Sequence, residues 1–495
     1  MTSELASVVL DDEPVTIVKL QMVAEGLRQL RLGSTLMERL SASRRSLLRH
    51  LEAGHPIYGT NTGVGALFTR EIPPEDQAQL SENIVLSHAC GVGEPLDATS
   101  VRAIIFGAVC NLTRGYSGVR PLIVERLVDF LNLDLLPVTP SAGSIGSLTH
   151  MAHIASALLG HGRCRLRGQE MSTEEALASC ELTPLSLEAG EGLSLVSGTP
   201  SLTGVGGVAV VKAQRISDIA DIAAALSFEA LRANPDSLHP RVHEVRPHFG
   251  QQEVARRMRI LLEDSELLSR ENLQDCLSLR TTPQVHGSTR QNVQRAVQTL
   301  EVELNSATDN PLIFEDEVLS ACNAHGEPMA QCLDGLSVAM AELGNISERR
   351  TDRLLNFRIN GLPPFLSDDP GLRSGLMIPQ YVSAYLVAEN KVLSHPASVD
   401  SIPMSAFQED HVNMGTLSAI MARKVANNVE RILAIELITA RAALRFRAPL
   451  HCSPKLQTVV ERLDSLVQPV LQDRILGPDI EKVAQYLGAG GPLLD

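Results

Sequence analysis

The sequence contains no tryptophan, and aromatic residues of all kinds make up only 3% of its 495 residues. Hydrophobic residues nevertheless reach 44%, so the chain can bury a large interior built from Ala, Leu, Val and Ile. Small aliphatic residues suit closely packed helices better than a β-sandwich. The composition therefore predicts an all-α fold, and the chain is too long for one simple core.

The sequence also lacks an excess of basic residues and a cysteine spacing typical of disulfide frameworks or zinc sites. The net charge of −15 argues against a nucleic-acid surface. The eight cysteines form no CxxC pair, so they are interpreted as reduced thiols of a cytoplasmic protein, and no metal site is predicted. The first residues show no basic region before an apolar stretch, so no signal peptide is expected. The longest apolar run, near 219–226, contains Asp221, so no membrane span is expected either.

Hydrophobic periodicity predicts a succession of helices separated by irregular segments. The predicted spans are 76–90, 98–113, 119–132, 203–233, 287–307, 327–356, 379–396 and 413–447, with short strands in an irregular stretch over 163–192. The last helix would be roughly 50 Å long, and helices this long and apolar usually pack against other subunits, so an oligomer is expected. We predict an N-terminal domain over 1–200, a central bundle of long helices over 201–450 and a C-terminal helical cap over 451–495.

A loop rich in Pro, Gly and Ser over 135–147 leads into an apolar run that ends at Gly162. Gly143 and Gly146 permit close backbone approach, and Ser147 is a candidate N-cap for a helix that begins at Leu148. The start of that helix presents free N–H groups and a positive dipole end, which suit an anionic or electron-rich ligand. An ordinary junction between a loop and a helix is the alternative interpretation.

Several long motifs follow one another along the chain from about residue 55 to residue 450. They are Tyr58-Gly-Thr-Asn-Thr-Gly-Val-Gly65, Leu86-Ser-His-Ala-Cys-Gly-Val-Gly-Glu-Pro-Leu96, Gly115-Tyr-Ser-Gly-Val-Arg-Pro121, the segment 236–248, Gln274 to Gly287, Thr308-Asp-Asn-Pro-Leu312, Ser394 to Pro403 and Gln408-Glu-Asp-His-Val412. Together they resemble the histidine and aromatic amino-acid ammonia-lyases. The resemblance implies an all-α homotetramer in which each active site draws on three subunits.

The resemblance also implies a cofactor, a methylidene-imidazolone (MIO), which the family makes from an internal Ala-Ser-Gly. Aligned without gaps from Pro137 to Gly162, these positions are Ser144, Ile145 and Gly146 here, and isoleucine has no hydroxyl to eliminate. Shifted registers do not restore the triad, since alanine is the middle residue of 141–143. The Ser-Gly pairs at 197–198 and 374–375 lie at other motifs of the family. The sequence therefore predicts a degenerate cofactor position and no cofactor.

Four further positions depart from the family at groups that face its cofactor or substrate. Ser197 stands where the family has an asparagine that braces the cofactor, and Leu277 where it has a tyrosine. Ala324 replaces an aromatic residue and Phe407 an asparagine. Leu277 and Ala324 are expected to enlarge the pocket, and all four are candidate substrate-binding positions.

Other family positions are retained. Tyr58 matches the catalytic base, Arg280 the clamp for the substrate carboxylate and Glu409 an acidic catalytic residue of the pocket. Ser87 and His88 match the pair typical of histidine-type members. Asn61 and Gln408 complete the candidate binding residues. The structural alternatives are a loop tyrosine bonded to backbone, an arginine in an ion pair, a buried histidine and a glutamate that pairs inside a helical core.

These features lead to three hypotheses about function. The first is an MIO-free enzyme of specialised metabolism, in which Tyr58 performs elimination, conjugate addition, isomerisation or cyclisation on an activated small molecule that bears a carboxylate. The second is a non-catalytic homologue that acts as a binding or oligomerisation partner. The third is a histidine-type ammonia-lyase with residual deaminase activity.

Overall fold

The computed structural model describes residues 7–494, and helices dominate it. The helices are α1 (Ile17–Ala24), α2 (Ser34–Glu52), α3 (Gln77–His88), α4 (Ala98–Leu112), α5 (Pro121–Asn132), α6 (Leu148–Leu158), α7 (Thr173–Ser179), α8 (Glu191–Val196), α9 (Pro200–Ala230), α10 (Pro240–Glu244), α11 (Phe249–Leu261), α12 (Leu277–Arg280), α13 (Thr282–Leu304), α14 (Glu327–Leu355), α15 (Phe357–Asn360), α16 (Met377–Leu393), α17 (Gly415–Leu444), α18 (Pro454–Leu466) and α19 (Gly477–Gly488). The predicted all-α class is confirmed, and the long predicted helices coincide with α3, α4, α5, α9, α13, α14, α16 and α17.

Short strands form small sheets beside the helices. They are β1 (Ser7–Leu10), β2 (Gln29–Leu32), β3 (Val92–Pro95), β4 (Leu135–Pro137), β5 (Pro140–Ala142), β6 (Arg163–Leu166), β7 (Gln169–Ser172), β8 (Leu312–Ile313) and β9 (Val318–Leu319). β1 and β2 pair in parallel, whereas β3–β5, β4–β6–β7 and β8–β9 are antiparallel. β6 and β7 are the short strands expected within 163–192. After β7, Ser172 and Glu175 form a capping box that starts α7.

The chain divides into two compact units, each made of several chain segments. Unit 1 contains the residues up to Ala209, Ala296–Asp334 and Pro396–Ile420. Unit 2 contains Val210–Arg295, Gly335–His395 and the residues from Met421 onward. The division of the sequence at residues 200 and 450 therefore stays a prediction.

The core of unit 1 shows why the chain uses small residues in its long helices. Helix α4 is buried along most of its length, including Ile104 and Phe106. The first turns of α9 lie directly against it, and a Cβ at Gly204 would stand 2.5 Å from the backbone nitrogen of Ile104. Only glycine allows the two helix backbones to approach this closely.

The core of unit 2 contains a buried ionic network. Arg350 and Glu436 are both fully buried and form a bidentate pair, with Nε 2.5 Å and Nη2 3.0 Å from the carboxylate oxygens. Arg350 also lies 3.3 Å from His286, which in turn contacts Asp221 at 2.9 Å. The network joins α9, α13, α14 and α17.

The most apolar long segment runs from Glu191 to Ala230 and includes α8 and α9. By length and composition it could cross a membrane, but 94% of its most apolar window is buried inside the structure. Such burial is what the core helix of a folded bundle shows, so the segment gives only weak evidence for a membrane span.

Candidate active site

The loop that contains Tyr58 is stabilised by hydrogen bonds between its side chains and its own backbone. Asn61 accepts the Ile57 N–H through Oδ1 at 2.6 Å and donates from Nδ2 to the His55 carbonyl at 2.8 Å. The Tyr58 hydroxyl accepts the N–H of Gly65 at 2.7 Å. Gly65 has a φ of +56°, and a Cβ there would collide with Oγ of Ser405. Asn61 therefore shapes the loop, while Tyr58 lines the pocket.

A second loop, 404–413, closes against the first. Met404 and Glu409 exchange backbone hydrogen bonds of 2.9 and 3.3 Å, and the N–H of Ala66 donates to Oγ of Ser405 at 3.1 Å. Ser405, Ala406 and Phe407 all have positive φ, so the chain turns sharply here. The turn directs Gln408 and Glu409 to the pocket, while Phe407 is 78% exposed and lies outside its lining.

The third wall is the loop 144–147, which contains the positions aligned with the cofactor triad of the family. Oγ of Thr416, in the first turn of α17, donates to the carbonyl of Gly146, and the Thr416 N–H donates to the Ile145 carbonyl at 3.1 Å. Ser147 occupies the N-cap position of α6, but its hydroxyl makes no cap bond. That oxygen accepts the N–H of Ser201 at 2.9 Å instead, so the expected cap is absent and Ser147 ties the loop to α9.

The fourth wall is Ser197-Gly198 at the end of α8, supported by the segment around Asp309. The Thr199 N–H donates to Oγ1 of Thr308 at 3.3 Å. A Cβ at Gly198 would meet the Thr308 carbonyl at 2.9 Å, so glycine is required here. Asp309 lies behind this wall, only 1% exposed, and accepts the N–H of Asn310 at 2.8 Å.

Within residues 7–494, Asp309 forms no ion pair. Burial raises the pKa of Asp309 to about 6, opposed by the Asn310 N–H and by the hydroxyls of Ser117 and Ser197. Its Oδ2 atom has no hydrogen-bond partner within residues 7–494. The wall behind the pocket thus contains a carboxyl group that can be neutral at mildly acidic pH.

These four walls enclose one pocket of about 780 Å³ in unit 1. Tyr58, Glu409, Ser197 and Gln408 line it together with Ala324 and the loop 145–149. Burial raises the pKa of Tyr58, the Gly65 N–H opposes this, and the charge of Glu409 raises it further. A phenol and a carboxylate that influence each other in one pocket form a plausible acid–base pair.

Several predicted residues are not in this pocket. Arg280 and Leu277 lie in unit 2, where Arg280 lines a separate cavity of about 280 Å³ beside Gln274. When the side-chain amide of Gln274 is flipped, so that O and N exchange places, its oxygen accepts hydrogen bonds from both terminal nitrogens of Arg280, at 2.8 and 3.2 Å. His88 ends α3 with Nδ1 3.0 Å from the Ser87 hydroxyl and does not line the pocket. The roles assigned to these residues stay predictions.

The pocket also contains three groups that were not selected from the sequence. His325 and His411 stack with ring centroids 5.5 Å apart, and their facing nitrogens are 3.4 Å apart. Cys322 lies beside them, and burial and the charge of Glu409 raise its pKa. His411 belongs to the motif 408–412, and His325 directly follows Ala324, so the motif context was the available signal.

A family model matches most of the chain. The model of the aromatic amino acid lyases matches residues 15–465. The chain belongs to the aromatic amino acid lyase family.

Individual members of this lyase family are similar over nearly the whole chain. A histidine ammonia-lyase from Symbiobacterium thermophilum is 44% identical over 484 residues, covering 96% of both chains. A histidine ammonia-lyase from Caldanaerobacter subterraneus subsp. tengcongensis is 42% identical, covering 98% of this chain and 97% of that protein.

Solved structures of similar proteins superpose closely on this chain. A tyrosine aminomutase from Streptomyces globisporus superposes with a TM-score of 0.95 at 35% identity, over 98% of this chain and 97% of the other. The histidine ammonia-lyase from Trypanosoma cruzi gives a TM-score of 0.91 at 39% identity, over 97% and 93% of the two chains.

These relatives overturn the leading functional prediction for this lyase. The MIO-free enzyme of specialised metabolism was inferred from one tripeptide, whereas relatives above 40% identity along almost the entire chain are histidine ammonia-lyases. They point to an ordinary histidine ammonia-lyase, and the statement that the protein is not an ordinary deaminase is wrong for the same reason.

The prediction of no cofactor is contradicted as well, because the histidine ammonia-lyases that this lyase resembles are MIO-dependent. The residues at the aligned position do not themselves fit the group, since Ile145 has no hydroxyl to eliminate. The pair Ser197-Gly198 lines the pocket, whereas the N–H groups of Ser374 and Gly375 donate to the carboxylate of Asp473.

Proposed function

We propose that this protein is a histidine ammonia-lyase, which eliminates ammonia from histidine and releases the α,β-unsaturated imidazole acid. The names of the relatives support histidine as the substrate class. The single observation that supports catalysis is that Tyr58 and Glu409, 351 residues apart in the sequence, line one pocket. We further propose a cytoplasmic protein that acts on a small molecule.

Tyr58 is the proposed base. Its phenolate oxygen takes a β-hydrogen of histidine as a proton, and the electron pair of that C–H bond becomes the new Cα–Cβ double bond. The C–N bond breaks, and the protonated α-amino group leaves with the electron pair of that bond as neutral ammonia. Because burial and Glu409 raise the pKa of Tyr58, the phenolate is scarce at neutral pH but strongly basic once formed.

The substrate carboxylate needs a partner, and Arg280 is the candidate for it. Arg280 lies outside the pocket of Tyr58 in the single chain. We therefore propose that the protein assembles as a homotetramer in which Arg280 of another copy completes each pocket. The expected chemistry then needs no metal.

The test is turnover of histidine by the purified protein, followed through the ultraviolet absorbance of the unsaturated acid and through released ammonia. Tyr58→Phe removes the base, so we expect kcat to fall at least about a hundredfold. Tyr486→Phe is the matched control, because it removes a hydroxyl that donates to the Pro492 carbonyl at 2.8 Å and lies outside the pocket lining.

Equal turnover by wild type and Tyr58→Phe would contradict the assignment of the base. Absence of histidine turnover in the wild type would contradict the proposed function. Tyrosine is tested in parallel, with the β-amino acid as the product expected of an aminomutase. The intact mass of the same sample, compared with the encoded mass, reports separately whether any Ser-Gly pair has lost two waters.

A further inference from the structure

Three arginines line a cavity of about 300 Å³ in unit 2, which is neither the pocket of Tyr58 nor the cavity of Arg280. Arg232 follows the end of α9, Arg353 is in the last turn of α14, and Arg447 lies just beyond α17. Arg232 has a φ of +54°, a conformation that a residue with a side chain rarely adopts. The backbone thus accepts some strain at the point where Arg232 enters the cavity.

The positive charges in this cavity are not neutralised by ion pairs. Within residues 7–494, none of the three arginines forms an ion pair. The Nε atom of Arg232 is buried and has no hydrogen-bond partner. Burial lowers the pKa of Arg447, and the charge of Arg232 lowers it further, so the two guanidinium groups are close enough to repel each other.

The guanidinium group of Arg447 is held in place by backbone. It donates from Nε to the Ala230 carbonyl at 2.7 Å and from Nη2 to the Asn360 carbonyl at 3.1 Å. These bonds fix its orientation without reducing its charge. A fixed planar cation beside a second cation is an arrangement that proteins use to recognise phosphate and carboxylate groups.

Two carboxylates, Glu271 and Asp275, also line the cavity, so its guanidinium groups outnumber its acids by one. Glu271 is exposed, and Asp275 uses Oδ2 to accept the backbone N–H of Asn234 at 2.6 Å. The remaining polar lining, which includes Ser269 and Asn272, offers further hydrogen-bonding groups.

We propose that this cavity binds a small oxyanion with two negative charges, of the class represented by inorganic phosphate. Three guanidinium groups can donate several charge-assisted hydrogen bonds to such an anion, and the volume accommodates a phosphate group. The bound anion connects the end of α9, the end of α14 and the segment after α17. This site is distinct from the pocket of Tyr58 and does not depend on the function proposed for it.

The experiment titrates the full-length protein with inorganic phosphate at constant ionic strength, with sodium chloride as the balancing salt. Calorimetry gives the affinity, and thermal unfolding gives the stabilisation. We expect saturable binding and a rising unfolding midpoint in phosphate but not in chloride. Arg353→Gln and Arg232→Gln should each weaken binding by about tenfold or more.

Two control variants locate the binding. Arg445→Gln removes one positive charge two residues before Arg447, from an exposed pair with Asp368, and should keep the wild-type affinity. Arg280→Gln removes the arginine of the neighbouring cavity and should also keep it. If Arg353→Gln binds phosphate as tightly as the wild type, or if wild type shows no saturable binding, the proposed site is wrong. Loss of binding in Arg280→Gln alone would also overturn it, since it assigns the anion to the other cavity.

Discussion

At the scale of single residues, the pocket depends on how neighbouring groups change one another's pKa. Glu409 raises the pKa of Tyr58, and both residues line the same cavity. Ser197 and Asp309 are related in a similar way, since the Ser197 hydroxyl lowers a pKa that burial has raised. Such coupled groups make the pH dependence of the protein a direct report on the geometry of the site.

Glu409→Gln should move the alkaline rise of kcat/KM to lower pH. The carboxylate raises the pKa of Tyr58, and the neutral amide does not, so the phenolate forms at a lower pH in the variant. The measurement is the pH profile of kcat/KM. The pH at which kcat/KM rises can be determined even if the variant has a lower maximal kcat/KM. Asp410→Asn is the control, because this exposed neighbour does not line the pocket. A limb that stays in place in Glu409→Gln would show that the two groups do not interact.

Asp309→Asn should stabilise the protein at neutral pH. Burial raises the pKa of Asp309 to about 6, so the folded state disfavours the carboxylate and loses stability as pH rises from about 4 through about 6. The amide avoids this loss, which for a shift of about two units is at most about 3 kcal/mol. Thermal unfolding should show that Asp309→Asn is more stable than the wild type above pH 6, and that this difference in stability disappears below pH 4.

Asp334→Asn provides the comparison for Asp309→Asn. Asp334 is also buried in unit 1, and its carboxylate accepts the Ser398 N–H at 2.9 Å. This variant measures what the same change costs at another buried carboxylate that accepts a backbone N–H. A gap for Asp309→Asn that does not change with pH would mean that its carboxyl group does not titrate in this range.

At the scale of elements, two loops close the pocket against each other, and one contact limits their spacing. Gly65 lies so close to Oγ of Ser405 that a side chain cannot be added without moving one of the loops. The same two loops are joined by the hydrogen bond from Ala66 to Ser405. Tyr58 is therefore positioned by a loop whose own position depends on a second loop far away in the sequence.

Gly65→Ala should lower kcat/KM by about tenfold or more, because Tyr58 loses its exact placement when the loops separate. Alanine at a φ of +56° also carries about 1–2 kcal/mol of backbone strain. Ser405→Ala removes the oxygen that obstructs the new methyl group, so the double variant should recover part of the lost activity. Kinetics of the two single variants and the double variant test this, and a double variant no better than Gly65→Ala would exclude the loop contact as the cause.

At the scale of the whole molecule, long helices replace the aromatic core that the sequence cannot supply. Four of them, α9, α13, α14 and α17, are joined in unit 2 by the network around Arg350 and Glu436. Ser227 and Ser347 donate to the Glu436 carboxylate at 2.7 and 2.5 Å, so the buried charges are fully hydrogen-bonded. A satisfied buried network of this kind specifies which helix faces meet.

Glu436→Gln should therefore destabilise the protein by about 3–5 kcal/mol, because it leaves the Arg350 charge buried without a counter-charge. Thermal unfolding should show a midpoint several degrees lower. Glu253→Gln is the matched control, since it breaks an exposed pair with Arg256 and should cost less than about 1 kcal/mol. If the two variants are equally stable, the network does not contribute to the stability of the fold.

The sequence by itself determined the secondary structure and the family. Periodic apolar residues placed the long helices within a few positions of α4, α5, α14 and α17, because a buried helix face repeats every few residues whatever its partners are. Ordered motifs such as 58–65 and 408–412 identified the ammonia-lyase family. The same reading failed for the cofactor and the reaction, since it gave one missing tripeptide more weight than the rest of the chain.

Only the tertiary structure decided which of the predicted residues meet. It gathered Tyr58, Ser197 and Glu409 in one pocket and added His325, His411 and the buried Asp309 behind the wall, whereas Arg280 went to the other unit. It also brought together Arg232, Arg353 and Arg447, which share no motif. The physical reason is that helix formation depends on local periodicity, whereas a site depends on distances between residues hundreds of positions apart. Those distances are set by how closely small residues let the helices pack.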